Sequence, residues 1–362
     1  MTNLGYSQSL FWGNETTYGS AVAVDKPFGL VQSVNPTETN TLMKIRTMGG
    51  SRDYSNIVPG KFEVSGSFEY YLQDGDFLRQ AFGEDTGTSA TVDSGPRIHS
   101  GASYLHIMGS AASPAADNFP SYTMEFADDE GSAGTTPTNF KRTYTGCRVN
   151  TLGISASVDD PVSISADWIA QGVTVSTAGA TAVSDLTTDP YVFYQGNLYS
   201  TSGTITAYTQ VEAASRLCEL NQFDFNINNN LEAVWYICGT TNAYQTSRTL
   251  KNLVVKGRDF ESTLGLHFKN KDMFQRFLGA AGATQSQDTL AKYQVVLDFV
   301  RSGTIGGTKA VSDNWIRLVM ENCAFDNANI TGSPEDIVSQ SYDVFVESVK
   351  AYVVDDTADY SS

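Results

Sequence analysis

The chain has 362 residues, with 23 Lys plus Arg against 40 Asp plus Glu, for a net charge of −17; 41% of its residues are hydrophobic and 11% aromatic. This composition supports packed cores, and the length suggests two domains; the scarcity of cations argues against a grip on nucleic-acid phosphates. No run of about 20 apolar residues is present to span a bilayer, and residues 1–6 lack the basic and apolar parts of a secretion signal.

Along the chain the alphabet is that of a β protein: 31 Gly, abundant Ser, Thr and Asn, and recurring period-2 alternation. Residues 62–70 place Phe62, Val64 and Phe68 on one face and acids on the other, with Gly66 on the apolar face marking a bulge or a close approach. Residues 148–158, 250–266 and 343–354 read as further strands, and Gly/Ser/Thr loops interrupt them at 84–103, 109–118, 129–139, 173–189 and 302–312. Two short segments read as helices, 76–82 stopped by Gly83 and 272–278 stopped by Gly279. Asp76 and Asp272 stand at their starts, where a carboxylate accepts from free backbone N–H groups.

The two helices resemble each other, and the likeness extends along the chain. Sliding the sequence by 176 aligns 145–171 with 321–347 without a gap, and eight of 27 positions are identical, among them Cys147/Cys323, Ile154/Ile330, Asp160/Asp336 and Asp167/Asp343. Chance gives roughly two in sequences of this bias. Further upstream the offset is 196 (Val64/Phe260, Phe68/Leu264, Asp76/Asp272, Gly83/Gly279), and before that 190 (Asn40/Asn230, Gly49/Gly239, Tyr54/Tyr244). Offsets that drift through loops are the pattern of an internal duplication. The expected organisation is mainly β, with two tandem β-sandwich or half-barrel domains at 1–185 and 186–362, each with one short helix, joined through the Ser/Thr/Ala-rich stretch 176–189. A doubled subunit in a trimer presents a pseudo-sixfold ring, and rings that stack head to tail make a tube.

A family resemblance follows from Phe11-Trp12-Gly13-Asn14-Glu15-Thr16-Thr17-Tyr18-Gly19-Ser20-Ala21-Val22, from Phe28-Gly29-Leu30-Val31-Gln32-Ser33-Val34-Asn35-Pro36, from Gly49-Gly50-Ser51-Arg52-Asp53 and from Gly83 after its helix. In this order the motifs resemble the tail tube proteins (major tail proteins) of long-tailed, non-contractile, siphovirus-like viruses. The likeness is clearest over 10–83 and reaches the remainder through the repeat. It implies a structural virion protein without catalysis or cofactor, assembled in the host cytoplasm, that stacks as rings of three chains into a hollow tube through which viral DNA passes unbound. The inner wall would be a β-barrel shared by adjacent domains, with the helices outside it. The tape-measure protein, the tail terminator and the distal tail or baseplate proteins would be its partners. A loop after the early strand would clamp the next ring: residues 47–60, with Met48, Arg52, Asp53 and Tyr54, and their repeat counterpart 239–248, with Asn242, Tyr244 and Arg248. An acid-lined lumen repels phosphate, and the candidates to line it are Glu63, Glu69, Asp159, Asp167, Asp259, Glu261, Asp343 and Glu347.

Other chemistry is thinly supported. Cys147, Cys218, Cys238 and Cys323 show no CxxC spacing and read as reduced core thiols. His99, His106 and His267 lack a companion set for zinc, no Gly-x-Ser-x-Gly elbow is present, and the acids at 128–130 lack calcium-loop spacing. Residues 303–309 lack the spacing of a phosphate loop, and Asn329 heads a formal glycosylation triplet. The basic clusters at 251–258 and 269–271 are expected to balance acids at a subunit interface. The competing reading is a tandem β-sandwich carbohydrate-binding or adhesin-like module, which needs an exposed aromatic face from Tyr70, Tyr71, Tyr194 and Tyr199.

Overall fold

The structure is a computed structural model that describes residues 8–50, 52–83, 104–109, 119–128, 139–206, 209–211, 216–217, 219–235, 248–303, 305, 312–334, 337–357 and 360. The first half contains β1 (Gln8–Glu15), β2 (Lys26–Pro27), β3 (Val31–Ile45), β4 (Asn56–Tyr71), α1 (Leu78–Phe82), β5 (Tyr104–Gly109), β6 (Ser121–Asp128), β7 (Phe140–Ser157), β8 (Ser163–Ala170) and β9 (Gly172–Ser176). The second contains β10 (Gly196–Thr201), β11 (Leu220–Asn228), β12 (Glu232–Val234), β13 (Asn252–Val254), β14 (Asp259–His267), α2 (Asp272–Phe277), β15 (Tyr293–Ser302), β16 (Asn314–Thr331), β17 (Ser339–Phe345) and β18 (Ser348–Asp355). The fold is therefore mainly β, as the alternation and the short helices imply.

One antiparallel inner sheet runs β3–β4–β8–β7–β11–β14–β17–β16. Its two successive groups of four strands share order and register. Ala166 on β8 faces Phe68 and Leu152, while Tyr342 on β17 faces Leu264 and Ala328. The separations are the 196 and 176 of the sequence alignment. Likewise Val234 faces Asn252 in the β12–β13 hairpin as Ile45 faces Asn56 in the first half. The early offset is thereby 189, one less than the alignment of Asn40 with Asn230 gave, and the positional counterpart of Asn40 is Asn229. The structure also divides two expected strands. Residues 250–266 split into β13 and β14, and 343–354 break at Val346 and Glu347, where the chain crosses from the inner to an outer sheet.

The outer sheets are β2–β1–β6–β7–β9 and β10–β15–β16–β18–β5. The 18-residue strands β7 and β16 belong to both layers. Each slips register against its inner neighbour at the same repeat position, between Val149 and Thr151 and between Phe325 and Asn327. A bulge bends a strand and sharpens its twist, which carries each strand from one layer to the other. Cys147 and Cys323 lie just before these bends, buried and free, and burial pushes the Cys323 thiol up to about 12. β5, from the first half, pairs with β18 and completes the outer sheet of the second.

The core fills the space between layers. Trp168, Phe68, Phe223 and Phe225 are buried on one face of the inner sheet, where Phe82 of α1 stacks on Phe225 at 6.2 Å. Both helices end as expected: the N–H groups of Gly83 (φ 78°) and Gly279 (φ 120°) donate to Arg79 O and Arg276 O, in a backbone region that favours glycine. Their starts differ from expectation, since neither helix has a side-chain cap. Asp76 lies two residues before α1 begins and is instead paired with Lys26 at 3.0 Å. Gly66 marks a close approach: an added Cβ would lie 2.6 Å from Trp168 Cζ2 and 2.8 Å from Asn35 O. Gly66→Ala is expected to lower stability by about 1–3 kcal/mol, read as a shift of the urea midpoint at unchanged slope; a neutral result would mean that β3 gives way.

Residues 177–191 cross between the halves without strand pairing and are pinned on the way. Thr181 donates through N and Oγ1 to Glu125, Gln73 to Thr188 O, and Tyr191 N to Leu72 O.

Candidate functional site

Side chains of the inner sheet alternate between its faces, so one face packs on the core and the other is left mostly polar. Three rows cross that polar face. Ser67, Asp167, Thr151, Asn228 and Asp259 form the first; Glu69, Ser165, Gly153, Asn226, Glu261 and Phe345 form the second. Ser163, Ser155, Asp224, Thr263, Asp343 and Asn327 form the third. None of these positions is Lys or Arg. The face is concave, with a trough lined by Thr151, Ser155, Asp167, Asp224, Asn226 and Glu261.

Four acids of this face, Asp167, Asp224, Asp259 and Asp343, accept from neutral donors. Thr151 Oγ1 donates to Asp167 at 2.7 Å, and at the repeat position Asn327 Nδ2 donates to Asp343 at 3.1 Å. Thr263 adds a second bond to Asp343 at 3.1 Å, Gln222 donates to Asp224 at 2.7 Å, and Asn230 donates to Asp259 at 2.7 Å. The trough is thus lined by acids and neutral polar groups, with no Lys or Arg among its lining residues.

Six of the eight lumen candidates, Glu63, Glu69, Asp167, Asp259, Glu261 and Asp343, lie on this one face. The other two sit at turns: Asp159 has a positive φ of 71° after β7, and Glu347 pairs with Lys292 at 2.5 Å between β17 and β18. Asp224 belongs to the face and was not singled out in the sequence. Its place in Phe223-Asp224-Phe225-Asn226-Ile227 was the available signal, a strict alternation with an acid on the polar side. Phe345 departs from the pattern, 63% exposed beside Glu261.

The second feature is an arm. The β3–β4 hairpin runs outward, its end exposed from Thr39 to Ile45, and it presents Leu42, Met43, Ile45, Met48, Tyr54 and Ile57 to solvent. Its tip is ordered by Thr47 Oγ1 and Ser55 Oγ at 2.8 Å and by Arg46 over the Tyr54 ring at 4.4 Å. Met48, Arg52, Asp53 and Tyr54 all belong to this tip. In the second half Asn242 and Tyr244 lie outside the described residues. Arg248 docks within the chain: its Nε donates to Gly60 O at 2.7 Å, its guanidinium reaches Asn40 Oδ1, and its carbonyl accepts from Phe62 N at 3.0 Å.

The third feature is a pair of open edges. β3 and the C-terminal half of β16 each pair on one side only among the described residues. Unpaired edges are templates for pairing with another chain unless charge, Pro or a cover protects them.

Other candidates resolve into structural roles. Lys256 and Lys269 pair with Glu232 and Glu219 at 2.5 Å within the chain, where an intersubunit role was expected for these clusters. Tyr70 is buried in the core and Tyr199 packs against the second core cluster, so only Tyr194 of the proposed aromatic face stands well exposed. His106 stacks on Tyr360 at 3.6 Å, and His99 lies outside the described residues. Among the described residues no group of three His, Cys, Asp or Glu is placed to hold a metal, and no helix is long and apolar enough to cross a membrane.

A family model described as phage tail tube protein matches residues 5–344. No curated protein matches the chain.

Proposed function

The chain belongs to the phage tail tube protein family, and from that premise we propose that three copies close edge to edge into a ring, and that rings stack into a hollow tube. The tube role makes it a structural component of the virion, assembling with other tail proteins. The reading is carried by the β7–β11 junction. That junction joins the two halves of the inner sheet, and β16 and β3 are the counterparts of β7 and β11 by register. A second copy placed by the same junction sets Ala328 opposite its Glu38, Asn329 opposite its Thr37 and Ile330 opposite its Pro36. Three such chains satisfy every inner edge and give pseudo-sixfold symmetry.

In this ring the concave polar face lines the lumen and the core and helices lie outside it. The acids on that wall repel phosphate at short range and leave the passing DNA without adhesive contacts. The arm tip, with Met48, Asp53 and Tyr54, reaches the neighbouring ring, where its apolar residues are covered. The tape-measure protein would fill the lumen before DNA does, and the terminator and distal tail proteins would cap the ends. We also take 1–185 and 186–362 to be duplicated domains; the shared strand order, the paired bulges and the paired Asp167 and Asp343 contacts support this.

The test is a double variant, Thr37→Cys with Asn329→Cys, oxidised after assembly and viewed by negative-stain electron microscopy. The reading expects rings or tubes and a covalent product that stops at three chains. Uniform small particles at every concentration, with only single chains after oxidation, would sink it.

A further inference from the structure

The contact between Arg248 and the first half has a counterpart position at the ring seam. Ser51-Arg52 stands four residues before the start of β4 at Asn56, and Ser247-Arg248 stands four residues before the start of β13 at Asn252. The two arginines thus share the 196 offset that governs β4 and β14, and each precedes the second strand of its hairpin by the same distance. Arg248 uses its place to grip the preceding domain at Gly60 O and Asn40 Oδ1. Arg52 is exposed on the arm.

The positions equivalent to Gly60 and Asn40 are Lys256 and Asn229. A polar cleft lies there, lined among others by Asn230, Lys256, Gly257 and Asp259. The Lys256 ammonium is engaged by Glu232, which leaves the exposed Asp259 carboxylate as the charge of the cleft. Asn229 is buried between two cleft residues; its Nδ2 donates to Ala81 O and Val149 O at 3.1 Å, and its Oδ1 has no hydrogen-bond partner among the described residues. In the first half the equivalent oxygen, Asn40 Oδ1, accepts from Arg248.

We propose that Arg52 of one copy docks in the Asn230–Asp259 cleft of the preceding copy in the same ring, donating to Lys256 O and pairing with Asp259. This inference rests on the ring reading and assigns Arg52 to the seam within a ring, while Met48 and Tyr54 remain for the next ring. Each domain then grips the one before it through an arginine at the root of its hairpin tip, alternately within and between chains. A guanidinium suits the task because it serves a carbonyl and a carboxylate together in a fixed fork.

The test pairs Arg52→Cys with Lys256→Cys, with Cys218 and Cys238 replaced by Ser, and treats assembled protein with a short bismaleimide. The Thr37→Cys with Asn329→Cys protein runs beside it. Covalent products that end at three chains support the proposal. A ladder beyond three chains places Arg52 between rings and overturns it. No linkage, in a sample where the Thr37–Asn329 protein does give trimers, overturns it and leaves the ring reading intact; failure of both pairs overturns both. Independently, Arg52→Ala is expected to raise the concentration needed for assembly about tenfold with an unchanged melting temperature of the single chain. An unchanged threshold counts against the proposal.

Discussion

Arg317→Ala is expected to cost about 3–5 kcal/mol, because it strands a buried charge. Arg317 on β16 and Asp298 on β15 are 1% and 3% exposed at their side chains, and they meet in a two-point contact of 2.7 and 2.9 Å. The remaining guanidinium nitrogen donates to Thr206 O at 2.8 Å and Thr209 O at 2.7 Å. These bonds hold a loop over the second face of the outer sheet, above Trp315, Val296 and Val319. Burial raises the Asp298 carboxyl from its ordinary value and the Arg317 guanidinium opposes the rise; without the arginine only the unfavourable part is left. Urea titration followed by tryptophan emission measures the loss. The double change Arg317→Met with Asp298→Leu is expected to recover most of it, since an apolar pair needs no compensation. If the double variant is as unstable as the single, the loop contacts rather than the ion pair carry the stability.

The second large effect is one of pH. Asp74 and Asp76 sit between the halves, near Lys26, Asp355, His106 and Tyr360. The Asp74 carboxyl is pushed up to about 7 by burial first and then by the carboxylates of Asp76 and Asp355. That of Asp76 is raised to about 6, by burial against the opposing pull of Lys26. Both groups bind a proton more tightly in the folded chain than in the unfolded one. Their contribution to stability is therefore complete below about pH 4 and is lost as the pH rises through about 6 to 7. Asp74→Asn keeps the shape and removes the charge. It is expected to stabilise the chain by about 2–4 kcal/mol at pH 8 and to change little near pH 3.5, below the ordinary carboxyl value, as read from thermal melts at the two values. A lower melting temperature for Asp74→Asn at pH 8 would mean that the ionised carboxylate is bound, not merely buried.

Much of this was legible in the sequence, for identifiable reasons. Period-2 alternation located β4 and β7 because one face of the inner sheet is polar, and the same alternation put Glu63 and Glu69 on one side of β4. The glycines ending both helices were legible because a left-handed residue leaves almost no alternative. Other features depend on the tertiary fold. The division between β13 and β14 falls at residues 255–258, where Lys256 and Gly257 are poor strand formers, but a single Gly inside an alternating run reads equally as a bulge. Asp76 faces a lysine 50 positions earlier, and no local pattern announces that. Arg317 and Asp298 each interrupt an apolar run, Trp-Ile-Arg-Leu-Val-Met and Val-Leu-Asp-Phe-Val. A single charge in a strand buried on both faces was the signal, but it needed knowledge that the second face was covered.

The pairing of β5 with β18 has a consequence for biosynthesis. Gly109 lies opposite Lys350, so the strand emerges from the ribosome roughly 240 residues before its partner exists, a non-local pairing of the kind that closes slowly. The nascent chain must therefore keep Tyr104–Gly109 uncommitted while the whole second half is made. The outer sheet is completed only when translation has reached Asp355, so a prematurely terminated polypeptide cannot present the finished surface to its neighbours.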